Sequence, residues 1–224
     1  MTETDMTETD TPTSYDVPVS DPRHALFTAF DAALPVLAAA EQADQSLPTP
    51  CDDFTVGDLL AHLNSVARRI TGMAQGRPAS EVPDSTVEPD GRYALAWTRH
   101  RDEVVATWAG LPDDAELVAP WRPLSRDDAA GIYAAEVLVH SWDLAVAVGA
   151  PFIVSDAVAE VGIAAVGTEL PPEARAGIYA QIKEQLPPDF PWEDPYGAAV
   201  AVPAEASAID RLVAISGRSP RWPA

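Results

Sequence analysis

At 224 residues, 47% of them hydrophobic and 22% charged, the chain has the size and composition of a single globular domain, and it holds no apolar run near the ~20 residues that cross a bilayer. Lys and Arg number 14 against 35 Asp and Glu, a net charge of −21 that repels nucleic-acid phosphates and anionic membranes, so neither is an expected partner. A lone cysteine, Cys51, excludes an internal disulfide and a multi-thiolate metal site, and fits a reducing compartment.

The start, MTETDMTETD, has neither a basic n-region nor an apolar h-region, which argues against a secretory signal and for the cytoplasm. With TPTSYDVPVS it offers little to bury, so residues 1–20 read as a disordered acidic tail and 21–224 as a single helical domain. The first helix is expected over 21–44, kinked at Pro35. After the loop QSLPTPCDDF, the TVGD that begins at Thr55 has capping-box spacing, with Asp in place of Glu or Gln. The second helix therefore starts near Val56. Its stripe of Leu59, Leu63, Val66, Ile70 and Met73 ends near Gln75, where GRPASEVPD breaks the pattern.

A third helix is expected over 91–109. The connector LPDDAELVAPWRPLS, with three prolines, reads as a long crossover holding at most one strand-like segment. A fourth helix opens after Ser125 as N-cap and closes at Gly149, with Pro151 beyond. Further helices are expected over 155–168, 172–185 and 205–216, and the proline-rich PPDFPWEDPYGAAVAVP should wrap over their surface. Amphipathic helices of similar length without alternating strands predict an all-α four-helix bundle with a long crossover, additional C-terminal helices and little or no sheet.

The fourth helix is apolar on nearly every side, yet Glu136, His140 and Asp143 interrupt it at spacings of four and three, which places them on one face. A buried carboxylate needs partners. His62 is the matching anomaly on the second helix, at the border of its apolar stripe. Two imidazoles and a carboxylate make a three-ligand set that leaves a fourth position for water or substrate, the form of a catalytic zinc site. Asp143 then has the catalytic supporting role of orienting a metal-bound imidazole. The plainer alternative is a hydrogen-bonded Glu136–His140 pair and an unrelated, half-buried His62, and sequence spacing leaves both open.

TPCDDFTVGDLLAHL (49–63), AAEVLVHSWDLAVAVG (134–149) and AIDRLVAISGRSPRW (208–222) together resemble the actinobacterial metal-binding proteins related to mycothiol-dependent maleylpyruvate isomerase, within the DinB-like superfamily. The resemblance implies a DinB-like four-helix bundle that holds a divalent metal through His62, Glu136 and His140, with zinc first and nickel, manganese or iron as other candidates. It implies mycothiol as thiol cosubstrate, deprotonated at the metal to attack a small electrophile, and hence a thiol transferase, isomerase or detoxification enzyme. The isomerase itself carries an additional C-terminal domain, and here 75 residues follow Gly149 (224 − 149), so a substrate other than maleylpyruvate is expected.

Two rivals share these residues. The same ligand set serves ferrous iron and oxygen as a facial triad, and a metal-stabilised bundle without turnover would bind a small molecule or protein partner. A metal-free helical protein is the remaining alternative, and a homodimer through an outer bundle face is left open. Elsewhere, Cys51 reads as a small buried loop residue and His24 and His100 as surface histidines. Arg68 and Arg69 read as surface ion pairs, and Trp121, Trp192 and Trp222 as pins for wrapping segments.

Overall fold

The first helix is started by Asp21, whose carboxylate accepts the Arg23 backbone N–H, and by Pro22, which sits in the first turn where a missing N–H costs nothing. In the computed structural model, which describes residues 17–52, 54–78, 81–119, 122–186 and 194–223, this helix, α1, spans Pro22–Ala40. It runs on through Pro35, whose side chain is exposed, and ends four residues before the expected 44 (44 − 40), in turns at 41–43. Of the tail expected over 1–20, residues 1–16 lie outside the described residues, and Val17 is buried against the core.

Helix α2, Val56–Ala74, begins with the capping box that the spacing predicted: the Thr55 hydroxyl accepts the Asp58 N–H, and the Asp58 carboxylate accepts the Thr55 N–H. Helix α3 spans Tyr93–Ala109. The connector after it holds two strands rather than at most one: β1, Glu116–Val118, pairs antiparallel with β2, Pro123–Ser125. Leu117 and Leu124 face each other in register and are both buried, so the ribbon has an apolar side that local reading of the prolines did not reveal. Pro123 is tolerated because it is the first residue of its strand. Helix α4, Arg126–Val148, is capped by Ser125, which accepts the Asp128 N–H, and closed by Gly149 in the left-handed conformation (φ 69°). Helices α5 (Asp156–Glu169), α6 (Arg175–Gln185) and α7 (Ala208–Ile215) follow; of the proline-rich wrap between α6 and α7, residues 187–193 lie outside the described residues.

The chain is mostly helical, an all-α fold. The four long helices close a ring in the order α1, α3, α2, α4. Helices α3 and α4, joined by the long crossover, are diagonal to each other, as that connector's length anticipates. Two indoles lock the ring. Trp97 Nε1 donates to Phe30 O of α1 at 2.9 Å and Trp108 Nε1 donates to Ile70 O of α2 at 3.0 Å, so both buried N–H groups are satisfied while the rings fill the core. Each such aromatic removes enough apolar surface from water to stabilise the fold by roughly 2–3 kcal/mol.

Helix α4 touches α1, α2, α5 and α7. By length and composition it would qualify as a membrane span, but 78% of its most apolar window is buried inside the fold, the burial of a core helix. A polar side chain on α4 therefore faces protein, and the α2–α4 contact decides what it meets.

Candidate metal centre

Helices α2 and α4 bring His62, Glu136 and His140 together, with one ligand atom from each lying within 4.8 Å of the others. His62 Nε2 is 3.7 Å from Glu136 Oε1, and the two imidazole rings meet edge to face with centroids 5.0 Å apart. The Phe54 ring leans against His62 from the loop before α2, at 5.1 Å.

Each histidine is fixed from behind by an oxygen. His62 Nδ1 donates to the backbone carbonyl of Asp84 at 2.9 Å, so Nε2 is the nitrogen turned towards Glu136. His140 Nδ1 lies 3.3 Å from Asp143 Oδ2, so Nε2 is again the nitrogen left over. Orienting oxygens of this kind set tautomer and basicity in metal-bound histidines.

The segment 81–88 forms a strap over the polar side of α2. Thr86 N–H donates to Ala61 O, Asn64 Nδ2 to Thr86 O and Glu88, Arg69 to Asp84 at 3.0 Å, and Arg68 to Glu88 at 3.3 Å. The strap thereby holds the carbonyl that orients His62.

Burial works to raise the Glu136 carboxyl, but hydrogen bonding to His62 and the charge of Arg69 lead the effects that outweigh it and hold its pKa below the usual value. Glu136 is thus an anion at neutral pH. Burial also holds the His140 imidazole low, against the opposing pull of Asp143, so His140 is neutral. Two imidazoles with Nδ1 held against an oxygen and one carboxylate fit a divalent cation that accepts nitrogen and oxygen donors, with a further position for another ligand.

Asp143 is fully buried and carries the arrangement outward. Its Oδ2 accepts from Arg218 Nε and Nη2, each at 3.3 Å, while Oδ1 has no hydrogen-bond partner among the described residues. Arg218 also donates to Ser216 O, and although burial opposes its charge, Asp143 and then Cys51 more than restore it. The turn that presents Arg218 depends on Gly217: its φ is 91°, and a Cβ there would stand 2.8 Å from Gly197 Cα.

Sequence reasoning missed Arg218, Asp84 and Tyr196. The need of a buried Asp143 for a cation was legible, but no spacing rule selects an arginine 75 residues away (218 − 143). Tyr196 is buried near enough to Glu136 that, after burial itself, the carboxylate charge is the main reason its phenol is pushed up. Two expectations need correction. His100 is not a surface histidine but is buried between α3 and the strap, and Cys51 is half-exposed, with its sulfur within 4.8 Å of ligand atoms of His140 and Asp143. Arg68 and Arg69 do form ion pairs, though Arg69 is buried; Trp222 packs on the core, while Trp121 and Trp192 lie outside the described residues.

The family described as the mycothiol maleylpyruvate isomerase N-terminal domain matches residues 24–145, more than half of the chain. That span contains His62, Glu136, His140 and Asp143 but not Arg218. Uncharacterized proteins of Mycobacterium tuberculosis strains CDC 1551 / Oshkosh and ATCC 25618 / H37Rv are each 27% identical over 206 residues, which cover 90% of this chain and 100% of each relative. No solved structure matches the chain.

Proposed function

The chain belongs to the mycothiol maleylpyruvate isomerase N-terminal domain family, of DinB-like metal-binding proteins, and from that premise we propose that it is a divalent-metal-dependent thiol transferase or isomerase, a detoxification enzyme in the broad sense, that joins a low-molecular-weight thiol to a small electrophile. Mycothiol is the thiol that the family points to. The observation that carries this reading is the convergence of His62, Glu136 and His140, with each histidine's Nδ1 against an oxygen.

In this reading His62 and His140 offer Nε2 and Glu136 a carboxylate oxygen to the metal, zinc by preference among zinc, nickel, manganese and iron. When bound, such a cation supplies the charge that deprotonates a coordinated thiol, which otherwise titrates near ~8.5. Asp84 O and Asp143 hold the two rings in place, and Arg218 holds Asp143 in position. Asp143 is a positioning residue, acting through His140.

A metal-stabilised bundle without turnover is the second reading, and what favours it is that the same three ligands come from two helices, so a bound metal would tie α2 to α4 whether or not a reaction takes place there.

Metal analysis and thermal melting of untagged protein, before and after chelation, test the site beside the His62→Ala, Glu136→Ala, His140→Ala triple variant. About one equivalent of metal is expected, lost in the variant, with chelation lowering the melting temperature of the wild type alone. No stoichiometric metal after reconstitution with zinc, nickel, manganese and iron would overturn both readings. Turnover with thiol–electrophile pairs, absent in the variant, separates enzyme from structural site.

A further inference from the structure

The strap 81–88 is anchored unevenly. Its later half is tied down at several points: Thr86 N–H donates to Ala61 O at 3.0 Å, the Thr86 and Ser65 hydroxyls meet at 2.6 Å, and Glu88 accepts from Asn64 and Arg68. The earlier half, which carries the carbonyl that receives His62, has little beneath it. Glu81, Pro83 and Asp84 are exposed and Val82 is half-buried, and beside Glu81, Val82 and Pro83 lies an open cavity of about 540 Å³. Before Thr86 the strap makes one hydrogen-bonded contact with α2 besides that of His62 itself among the described residues: Arg69 Nη2 donates to Asp84 Oδ1 at 3.0 Å.

That contact joins unequal partners. Arg69 is buried, and a guanidinium taken out of water needs an anion, yet its only ion pair among the described residues is with Asp84, whose side chain is 74% exposed. A cation fixed on the helix thus draws an exposed carboxylate down onto α2. Arg69 lies seven residues beyond His62 (69 − 62), two turns along the same helix face. Seating the Asp84 side chain on Arg69 therefore brings the carbonyl of the same residue to the His62 ring.

We propose that Arg69 is a positioning residue for the metal centre: its bridge to the Asp84 side chain fixes the carbonyl that orients His62, so that seating of the strap and binding of the metal are coupled. The role rests on the reading of His62, Glu136 and His140 as metal ligands, and on no choice of thiol or substrate. The coupling is reciprocal. A metal held by His62 fixes the ring whose Nδ1 donates to Asp84 O, and so tightens the strap.

Two variants of Asp84 test this, because both keep the backbone carbonyl and remove the same negative charge. Asp84→Asn leaves an oxygen for Arg69 to donate to, and Asp84→Ala leaves none. Zinc affinity of the full-length protein, read by competition with a chromophoric chelator, is expected to fall about tenfold in Asp84→Ala and about threefold or less in Asp84→Asn, the smaller loss being that of the charge alone. Zinc is also expected to slow hydrogen exchange at the Thr86 amide, and to do so more in the wild type than in Asp84→Ala. Wild-type affinity in Asp84→Ala overturns the proposal. An equal loss in both variants overturns it too, since the effect then belongs to charge and not to the bridge, and so does exchange at Thr86 that zinc leaves unchanged. A wild type that binds no zinc, nickel, manganese or iron overturns the metal reading itself and this role with it.

Discussion

Asp143 makes the strongest demand of any single residue. It is a fully buried carboxylate whose Oδ2 meets both His140 and Arg218. Removing the arginine strands the charge, so Arg218→Met is expected to destabilise the protein by about 3–5 kcal/mol. It should also weaken metal affinity by roughly 10–100-fold, because His140 loses its orienting partner's position. Asp143→Asn combined with Arg218→Met should recover much of the stability but not the affinity. Urea denaturation and competition with a chromophoric chelator measure the two separately, and equal recovery of both would refute the orienting role. The titrating groups give a second test at this scale. Burial keeps His140 and His100 below the histidine reference value of 6.5, so from 6.5 downward the unfolded chain takes up protons that the folded one refuses, and stability falls with pH. Glu136, held below 4.5, adds stability above that value that is lost as pH falls through its folded pKa. All three act in one direction: the urea midpoint of metal-free protein should rise from about pH 5 to a plateau above about pH 6.5. His100→Gln should flatten the slope. A midpoint that falls as pH rises through this window would contradict the assignment.

Helices were legible where the signal is local, and less so where a partner is needed. The capping box at Thr55, the Ser125 cap and the left-handed Gly149 stop each depend on a few neighbouring atoms, and all three stand where the sequence put them. The β1–β2 ribbon was underestimated because its stability comes from pairing Leu117 with Leu124 seven residues on (124 − 117), a relation no single run of residues displays. The strap over α2 was invisible for the same reason. Its anchors, Thr86 and Glu88, mean little until α2 supplies Ser65, Asn64 and Arg68 opposite them. Element packing also carries a test. A Cβ at Gly131 of α4 would stand 2.9 Å from the Ala165 Cβ of α5. Gly131→Ala gains about 1 kcal/mol of helix propensity, which offsets part of that clash. Gly131→Val adds branching at the same point and is expected to cost about 1–3 kcal/mol by overpacking. Because Glu136 and His140 lie five and nine residues further along the same helix (136 − 131, 140 − 131), chelator competition should show weakened metal binding in Gly131→Val as well. Unchanged stability in that variant would mean that α5 is not held against α4 as closely as described.

Across the whole molecule, half of the candidate site could be read without coordinates because charged groups on an otherwise apolar helix are conspicuous. Glu136, His140 and Asp143 stand out in the sequence against Val137, Leu138, Val139 and Leu144. The meeting of His62 with them is a property of the ring order α1, α3, α2, α4, and Arg218 arrives only because the chain after α7 folds back on α4. The net charge of −21 acts at this same scale. Most ion pairs here are at least partly exposed, as in Lys183–Asp194 and Arg68–Glu88, and such pairs are worth about 0–1 kcal/mol each. They cannot offset the self-repulsion of 35 acidic groups held by 14 basic ones, which salt screens over a Debye length of about 8–10 Å near 0.1–0.15 M. Raising sodium chloride from low concentration to about 0.15 M should therefore raise the melting temperature of the metal-free protein. A decrease would mean that attractive pairs dominate over the net field. The increase should be smaller with metal bound, since a divalent cation beside Glu136 already neutralises part of the repulsion that salt would otherwise screen.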